Sequence, residues 1–313
     1  MVARILFFGS GEFAVPSLRA LTGSQHALLA VVTQPDRPKG RGQKLQPVAV
    51  AQVAREQGIA LLQPPKARAA EFVEQVRALA PDLLLVAAYG QILPAELLAA
   101  GRRGAINLHA SLLPRYRGAA PIQYALLGGE ATTGVTTMLM EARLDAGPIL
   151  LQEEAGIGRD EDAIELTQRL ADLGAQLLLR TITLWLAERL EARRQDEALA
   201  TYAPKLTSQL SPIDWSRPAL QLHNQVRALV PWPVACTWFG GQRIRIWRSR
   251  PADGSGSAGT VLAVERDQLR VACGDGALDL LEIQLEGRRR LAAGDAARGL
   301  QLGRGMRFEN PVR

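Results

Sequence analysis

Apolar runs separated by segments of helix length are the feature that most constrains the fold of this chain. Four of these runs show little alternation of polar with apolar residues: Arg4 to Gly11, Ala27 to Thr33, Leu83 to Ala88 and Ala105 to His109. Continuous hydrophobicity is typical of strands covered on both faces, as in a parallel sheet with helices on either side. The pattern therefore predicts a doubly wound, mostly parallel α/β domain.

The hydrophobic pattern changes near residue 207. Beyond it, short strand-like runs alternate with glycine-rich turns, in the segments 234–239, 243–247, 260–264, 268–272 and 278–283. Several short strands at this spacing indicate a small closed β-barrel. We therefore predict an α/β domain over 1–188, a linker over 189–207 and a barrel domain over 208–313.

The excess of basic over acidic residues is confined to the last third of the chain. The net charge is +6, and residues 1–204 carry 21 basic against 21 acidic side chains, whereas residues 205–313 carry 16 against 10. A basic domain beside a neutral one indicates a polyanionic partner. A solvated basic surface without any partner fits the same count, so charge alone leaves both interpretations open.

Several classes of protein are disfavoured by composition. No window approaches the roughly 18 apolar residues that a membrane-spanning helix needs, and the apolar start, Ile5 to Phe8, is too short for a secretory signal. The only cysteines, Cys236 and Cys273, have neither metal-ligand nor redox spacing, which favours a reducing cytoplasm. The three histidines are scattered, so we expect no metal site.

Candidate catalytic residues lie at the end of the fourth apolar run. Asn107 and His109 are two apart, so on a strand they share one face, roughly 6 to 7 Å apart. An amide donor beside an imidazole suits chemistry that generates an oxyanion. Asp145, in a Leu-Asp-Ala-Gly turn, would favour the imidazolium and orient its ring. Alternatively, Asn107 and His109 lie at a strand end that simply meets solvent, and Asp145 only forms a turn.

The segment Ser111-Leu112-Leu113-Pro114 follows this pair. It places two leucines in a turn closed by proline, where water disfavours them unless a ligand covers them. We therefore expect both leucines to be exposed in the free protein and to contact a ligand.

The sequence resembles the formyltransferases that use 10-formyltetrahydrofolate. The resemblance is carried by Asn107, His109, the SLLP run, the following RYRGAAPIQ and the later LDAG. The resemblance implies a Rossmann-like domain followed by an OB-like barrel that binds tRNA. It implies transfer of the formyl group to the α-amine of methionyl initiator tRNA, without a metal. By the same resemblance, Asn107 and protonated His109 would stabilise the oxyanion, and Asp145 would position His109 and help to remove a proton from the amine. The folate would be bound by Ser111, Leu112, Leu113 and Pro114. Backbone groups of residues 89–94 would contact its pterin ring.

The tRNA-acting members of this family also resemble the chain outside the catalytic motif. In them the residue matching Phe13 is implied to lie beside the methionyl side chain. The segment from Gln34 to Leu45 has the proline and glycine content of a long loop, and four of its residues are cationic: Arg37, Lys39, Arg41 and Lys44. The resemblance implies that this loop binds tRNA and that Arg41 enters the acceptor stem. From its charge alone, the loop could equally be a solvated surface segment.

A basic face is also expected on the barrel. Arginines 243, 245, 248, 250 and 288–290 surround Trp247, for which core packing is the favoured role.

Three other functions remain open from the sequence. Gly9 to Ala14 fits the loose G-x-G-x-x-[GA] pattern, and Asp36 follows near the position of a ribose-binding acid, which suits a nicotinamide-dependent dehydrogenase. A non-catalytic RNA-binding protein would use only the basic loop and the barrel. Within the formyltransferases, a sugar nucleotide or glycinamide ribotide could replace tRNA as the acceptor.

The loop from Gln34 to Leu45 generates a prediction about substrate class. Arg41→Ala should lower kcat/KM on methionyl-tRNA by a factor of about ten to several hundred, because a charge-assisted contact contributes roughly 1.5 to 3 kcal/mol. Each lost phosphate contact should also reduce the log–log salt slope by about 0.7 to 0.9. Steady-state kinetics over a salt series measure both effects. Equal efficiencies and parallel slopes would remove the loop from tRNA recognition.

Overall fold

The structure is a computed structural model that describes residues 2–39 and 44–309. The chain forms two compact units, and neither is continuous in sequence. The first comprises Met1–Pro121, Thr132–Gly156 and Thr167–Pro204, and the second Ile122–Ala131, Ile157–Leu166 and Lys205–Arg313. The predicted domain limits at residues 188 and 207 stay a prediction.

Most elements before residue 205 belong to the first unit. The strands are β1 (Arg4–Gly9), β2 (Ala27–Val32), β3 (Arg37–Lys39), β4 (Lys44–Gln46), β5 (Leu61–Leu62), β6 (Leu83–Ala87), β7 (Ala105–His109), β8 (Arg117–Gly118), β9 (Thr132–Leu139), β10 (Ile149–Gly156) and β11 (Tyr202–Ala203). The helices before residue 205 are α1 (Val15–Thr22), α2 (Ala49–Glu56), α3 (Ala70–Ala78), α4 (Ala95–Leu98), α5 (Pro121–Leu127) and α6 (Ala163–Leu186). Of these, α5 lies almost entirely in the second unit, and the first residues of α6 also belong to it.

In the described part of the chain, seven strands form one sheet in the order β10-β9-β7-β6-β1-β2-β5. The strands from β7 to β5 are parallel, and β9 and β10 add an antiparallel end. Every residue of β6 is buried, which explains its unbroken apolar sequence. The predicted mostly parallel α/β fold is therefore confirmed.

The direction of the parallel strands fixes where a site can form. Strand β1 has β2 on one side and β6 on the other, so the strand order reverses between β1 and β6. Open α/β sheets bind ligands at such a switch point, beyond the carboxyl ends of the strands. The last residue of β7, His109, lies at this same edge.

The segment predicted as a long loop contains a short hairpin. Strand β3 pairs with β4 in antiparallel register, with Arg37 opposite Gln46 and Lys39 opposite Lys44. The expectation of a loop throughout was thus wrong for residues 37–39 and 44–45, because proline and glycine exclude a helix but permit extended backbone. Arg41 lies outside the described residues.

The second unit is built on antiparallel strands. Its elements are α7 (Ala219–Ala228), β12 (Ala235–Phe239), β13 (Gln242–Ala252), β14 (Val261–Val264), β15 (Leu269–Ala272), β16 (Ala277–Leu285), β17 (Arg290–Ala292) and α8 (Ala293–Gly299). The strand order is β12-β13-β16-β15-β14, and β17 pairs with β16. Bridges from Glu309 to Trp238 and from Arg307 to Thr260 connect the chain end to both edges of this sheet. This arrangement agrees with the predicted barrel domain.

Tryptophans of the second unit differ in their surroundings. Trp215 is fully buried and stacks on Phe308, with 5.7 Å between the ring centroids. Trp247 is half-buried, and the guanidinium carbon of Arg290 lies 3.2 Å from its ring centroid. The prediction that Trp247 packs in the core was therefore wrong. Its strand has one solvated face, so alternate residues of β13 point outward.

Within the described residues, no helix combines the length and the hydrophobicity that crossing a membrane would require.

Candidate functional site

Asn107 and His109 occupy the carboxyl end of β7, where both side chains are buried, with 8% and 6% of their surface exposed. Strand β7 lies between β6 and β9, so its backbone is paired on both sides. Because alternate residues of a strand share one face, the two side chains project from the sheet on the same side. The pairing of β7 with two neighbours holds both residues on a rigid element.

Asp145 lies beside His109 although 36 positions separate them in the chain. The Asp145 carboxylate oxygen Oδ2 is 3.7 Å from His109 Nδ1 and accepts the Gly118 backbone N–H at 2.9 Å. The Asp145 backbone has a φ of +48°, which is uncommon for a residue other than glycine, although aspartate tolerates it better than most. The structure thus brings together the histidine and the carboxylate that the sequence proposed as partners.

The second ring nitrogen of His109 has a backbone partner. His109 Nε2 lies 2.9 Å from the carbonyl oxygen of Tyr116. A carbonyl oxygen can only accept a hydrogen bond, so Nε2 carries a hydrogen in this geometry. The other ring nitrogen, Nδ1, faces the Asp145 carboxylate, and the 3.7 Å between Nδ1 and Oδ2 is longer than a hydrogen bond.

The turn from Ser111 to Pro114 is less exposed than its sequence suggests. Ser111 is fully buried and its hydroxyl donates to the Arg115 carbonyl at 2.6 Å. Leu113 is 3% exposed and packs with Met138 and Ile149. The expectation that both leucines are exposed was wrong, because the turn folds back onto β9 and β10, which buries Leu113 and leaves Leu112 half-buried.

Beside this turn lies a pocket of about 700 Å³. Its walls include Leu112, Leu113 and Pro114 from the turn, together with Arg115, Leu199 and Thr201. Asn107, His109 and Asp145 are not among its lining residues. Gln152 and Glu154 line it as well, so the pocket combines apolar walls with one guanidinium and one carboxylate. This lining suits a flat aromatic ligand whose anionic group lies at Arg115.

The remaining predicted positions lie around the switch point. Phe13 is 8% exposed and belongs to a single 3₁₀ turn, Glu12–Ala14. The Ser10 hydroxyl and the Gln34 amide both donate to the Tyr89 carbonyl, at 3.1 and 3.0 Å, which connects the 89–94 turn to the ends of β1 and β2. Arg37, Lys39 and Lys44 lie on the β3–β4 hairpin.

Asp36, the acid that would bind a ribose in a dehydrogenase, is hydrogen-bonded to neighbouring side chains in this structure. Asp36 accepts hydrogen bonds from Gln63 at 2.9 Å and from Arg55 at 2.8 Å. Burial raises the pKa of Asp36, but the bonds from Gln63 and Arg55 outweigh it and lower the pKa below its usual value. This carboxylate therefore serves a local structural network.

Sequence reasoning missed Gln195, which contacts the backbone of the Asp145 turn. Its amide nitrogen donates to the Asp145 carbonyl at 2.9 Å and to the Gly147 carbonyl at 2.7 Å. A glutamine in a polar stretch resembles a linker residue, so no local signal marks it. Among the described residues, no group of three or more histidine, cysteine or acidic side chains has an arrangement that could hold a metal.

Family models match both parts of the chain. The model described as formyl transferase matches residues 3–182, and the model described as formyl transferase, C-terminal domain, matches residues 205–301. A methionyl-tRNA formyltransferase of Pelobacter propionicus is 49% identical over 96% of this chain and 94% of its own length. One from Geobacter sulfurreducens is 48% identical over 97% and 96%.

Solved structures share the fold at low sequence identity. HypX of Aquifex aeolicus in complex with tetrahydrofolic acid gives a TM-score of 0.68 at 17% identity, covering all of this chain and 51% of HypX. This chain therefore spans about half the length of HypX. An N-formyltransferase of Helicobacter canadensis, in complex with folinic acid and dTDP-3-aminofucose, gives 0.66 at 16% identity over 90% of this chain and 99% of its own.

The contact between His109 and Tyr116 generates a prediction about the imidazole. In the neutral ring, the hydrogen should reside on Nε2, because the Tyr116 carbonyl can only accept it. Nitrogen-15 spectra of histidine-labelled protein report which ring nitrogen is protonated, and the His109→Gln variant assigns the signal among the three histidines. A neutral His109 protonated at Nδ1 would contradict this geometry.

Proposed function

Because the chain belongs to the formyl transferase family, we infer that it transfers a formyl group from 10-formyltetrahydrofolate to the α-amine of methionyl initiator tRNA. Relatives named methionyl-tRNA formyltransferase match nearly its whole length at 48–49% identity. The geometric observation that carries this proposal is the Asp145 carboxylate 3.7 Å from His109 Nδ1, at the end of the strand that bears Asn107. Membership of this family argues against the dehydrogenase and against a purely RNA-binding protein.

The proposed chemistry follows from the different surroundings of the two ring nitrogens of His109. Its Nε2 is engaged by a backbone carbonyl, so Nδ1 is the nitrogen available for the reaction. As the amine nitrogen bonds to the formyl carbon, the formyl oxygen gains negative charge. The Asn107 amide and protonated His109 would stabilise this oxygen, because fixed donors in a buried site need little reorganisation.

Asp145 would have two roles in this scheme. Its carboxylate stabilises the positive charge of protonated His109 and, directly or through water, accepts a proton from the attacking amine. The intermediate then loses its bond between the formyl carbon and N10 of the folate, and N10 takes up a proton. Over the whole reaction the amine therefore loses one proton and N10 gains one.

The pocket beside residues 111–114 would receive part of the folate donor. Its apolar walls from Leu112 and Pro114 suit the aminobenzoyl ring, and Arg115 suits the carboxylates that follow that ring. Ser111 is fully buried, so its contribution would be to hold the turn rather than to touch the ligand. The predicted roles of all four turn residues thus remain proposals.

Binding of tRNA would use basic surfaces on both units. In the second unit, Arg245, Arg248 and Arg250 are exposed on β13, and Arg290 covers Trp247. In the first, the predicted contacts are Arg37, Lys39, Arg41 and Lys44, with Phe13 beside the methionyl side chain. Guanidinium and ammonium groups are the usual partners of phosphates, and a guanidinium-covered indole is a suitable platform for a base. We propose that the protein acts in the cytoplasm without an obligate protein partner.

The role of the pair on β7 can be tested by kinetics. Asn107→Ala and His109→Ala should each lower kcat by on the order of 10² or more, as for loss of an oxyanion donor, while the Kd for folate changes little. The assay is transfer of formyl from 10-formyltetrahydrofolate to methionyl initiator tRNA. His26→Ala is the matched control, because His26 precedes β2 and thus lies at the opposite edge of the sheet. Near wild-type turnover in both variants would refute the site.

The pocket generates a second test. Leu112→Asp should raise the Kd for tetrahydrofolate about tenfold or more, since covering roughly 60 Å² of leucine contributes about 1.5 kcal/mol. Calorimetry measures the affinity, and melting temperature confirms that the variant is folded. Leu220→Asp changes a leucine that is 59% exposed in the second unit and should leave the Kd unchanged. Equal affinity in both variants would exclude Leu112 from the folate site.

A further inference from the structure

Asp145 is held by a network of residues that have no role in the chemistry described above. Its backbone adopts the left-handed conformation, with a φ of +48°. Both hydrogens of the Gln195 amide are used on this turn, because its nitrogen donates to the Asp145 carbonyl at 2.9 Å and to the Gly147 carbonyl at 2.7 Å. One side chain thus ties together two carbonyl groups of the turn that presents the carboxylate.

The orientation of the Gln195 amide is fixed by Arg117. The Arg117 Nε and Nη2 atoms donate to Gln195 Oε1 at 3.1 and 2.9 Å. A guanidinium can only donate and a carbonyl can only accept, so a single amide orientation satisfies all four contacts. Rotation of the amide by half a turn would set donor against donor on one side and acceptor against acceptor on the other.

Arg117 is itself held in place and charged. It is 1% exposed and donates to both carboxylate oxygens of Glu197, each at 3.1 Å. This bond to Glu197 raises the pKa of Arg117 and lowers the pKa of Glu197. Arg143 donates to the same carboxylate at 2.9 Å. A buried guanidinium with a bidentate partner has little freedom to turn away from Gln195.

The peptide groups on either side of Arg117 contact His109 and Asp145. The Tyr116 carbonyl lies 2.9 Å from His109 Nε2, and the Gly118 N–H donates to Asp145 Oδ2 at 2.9 Å. Strand β8, which contains Arg117, pairs with β11. The backbone of this segment therefore contacts both His109 and Asp145, whereas the Arg117 side chain acts on the Asp145 turn through Gln195.

We propose that Arg117 and Gln195 are positioning residues for formyl transfer. Gln195 fixes the Asp145 turn, and Arg117 fixes Gln195, so the carboxylate stays beside His109. The inference rests on the proposed function. It gives the segment 195–203, which the sequence marks as linker, a place in the active site.

The first test replaces the amide by a side chain of similar length. Gln195→Met should lower kcat about 10- to 100-fold, because a small displacement of a reacting group is enough for such a loss. The KM for each substrate should stay within about twofold, since Gln195 is not among the residues that line the pocket and its amide is used by Asp145, Gly147 and Arg117. Gln168→Met makes the same change at an exposed position of α6 and should leave kcat unchanged.

A double-mutant cycle with Asp145→Asn separates positioning from general damage to the protein. If Gln195 acts through the Asp145 carboxylate, Gln195→Met should change kcat by less than about twofold in the Asp145→Asn background. The same 10- to 100-fold loss in both backgrounds would overturn the inference and leave the proposed function intact. A wild type without formyl transfer, or an Asp145→Asn variant as fast as wild type, would overturn both.

A second variant keeps the test valid if Gln195→Met does not fold. Gln195→Glu preserves the volume and the oxygen that Arg117 binds but presents an acceptor to the two carbonyl groups, so it should show the same loss and the same cycle. Hydrogen exchange of the Gly118 amide gives a readout that is independent of activity. Its protection should fall in Gln195→Glu and stay at the wild-type level in Gln168→Met, and unchanged protection in both would contradict the inference.

Discussion

The candidate site depends on a backbone constraint at Asp145. A left-handed conformation at a residue with a side chain is unfavourable by on the order of 1 kcal/mol or more, so the surrounding contacts must compensate for it. The Gly118 N–H is one of these contacts, and it also requires an unusual backbone. Gly118 has a φ of +121°, and a Cβ atom there would lie 2.6 Å from the Ala203 carbonyl oxygen. The approach of β8 to β11, which orients this N–H, is therefore possible only with glycine at position 118.

Features that are local in sequence could be predicted because their physical cause is also local. The burial of both faces of β6 requires continuous apolar residues, and the two-residue period of β7 places Asn107 and His109 on one face whatever lies around them. The Leu-Asp-Ala-Gly motif marks a turn for the same reason. These patterns, with the family resemblance, were sufficient for the α/β fold and for the residues proposed as catalytic.

Features that depend on distant pairing could not be predicted in this way. Leu113 is buried because Met138 and Ile149 cover it, and nothing near Leu113 in the chain indicates this. Gln195 contacts a turn 50 positions earlier, and its polar neighbours make it look like part of a linker. Trp247 was expected in the core because tryptophan is large and apolar, but its partner Arg290 reaches it from another strand.

One short segment connects the pocket with the proposed reacting groups. Thr201 lines the pocket, and its hydroxyl accepts the Tyr116 N–H at 2.8 Å, while the Tyr116 carbonyl contacts His109. A donor in the pocket would therefore contact the segment whose Thr201 hydroxyl holds Tyr116, although none of the proposed catalytic side chains lines the pocket. Under the proposed function, the donor and the imidazole would thus be positioned by the same short segment, the donor by direct contact with Thr201 and the imidazole through Tyr116.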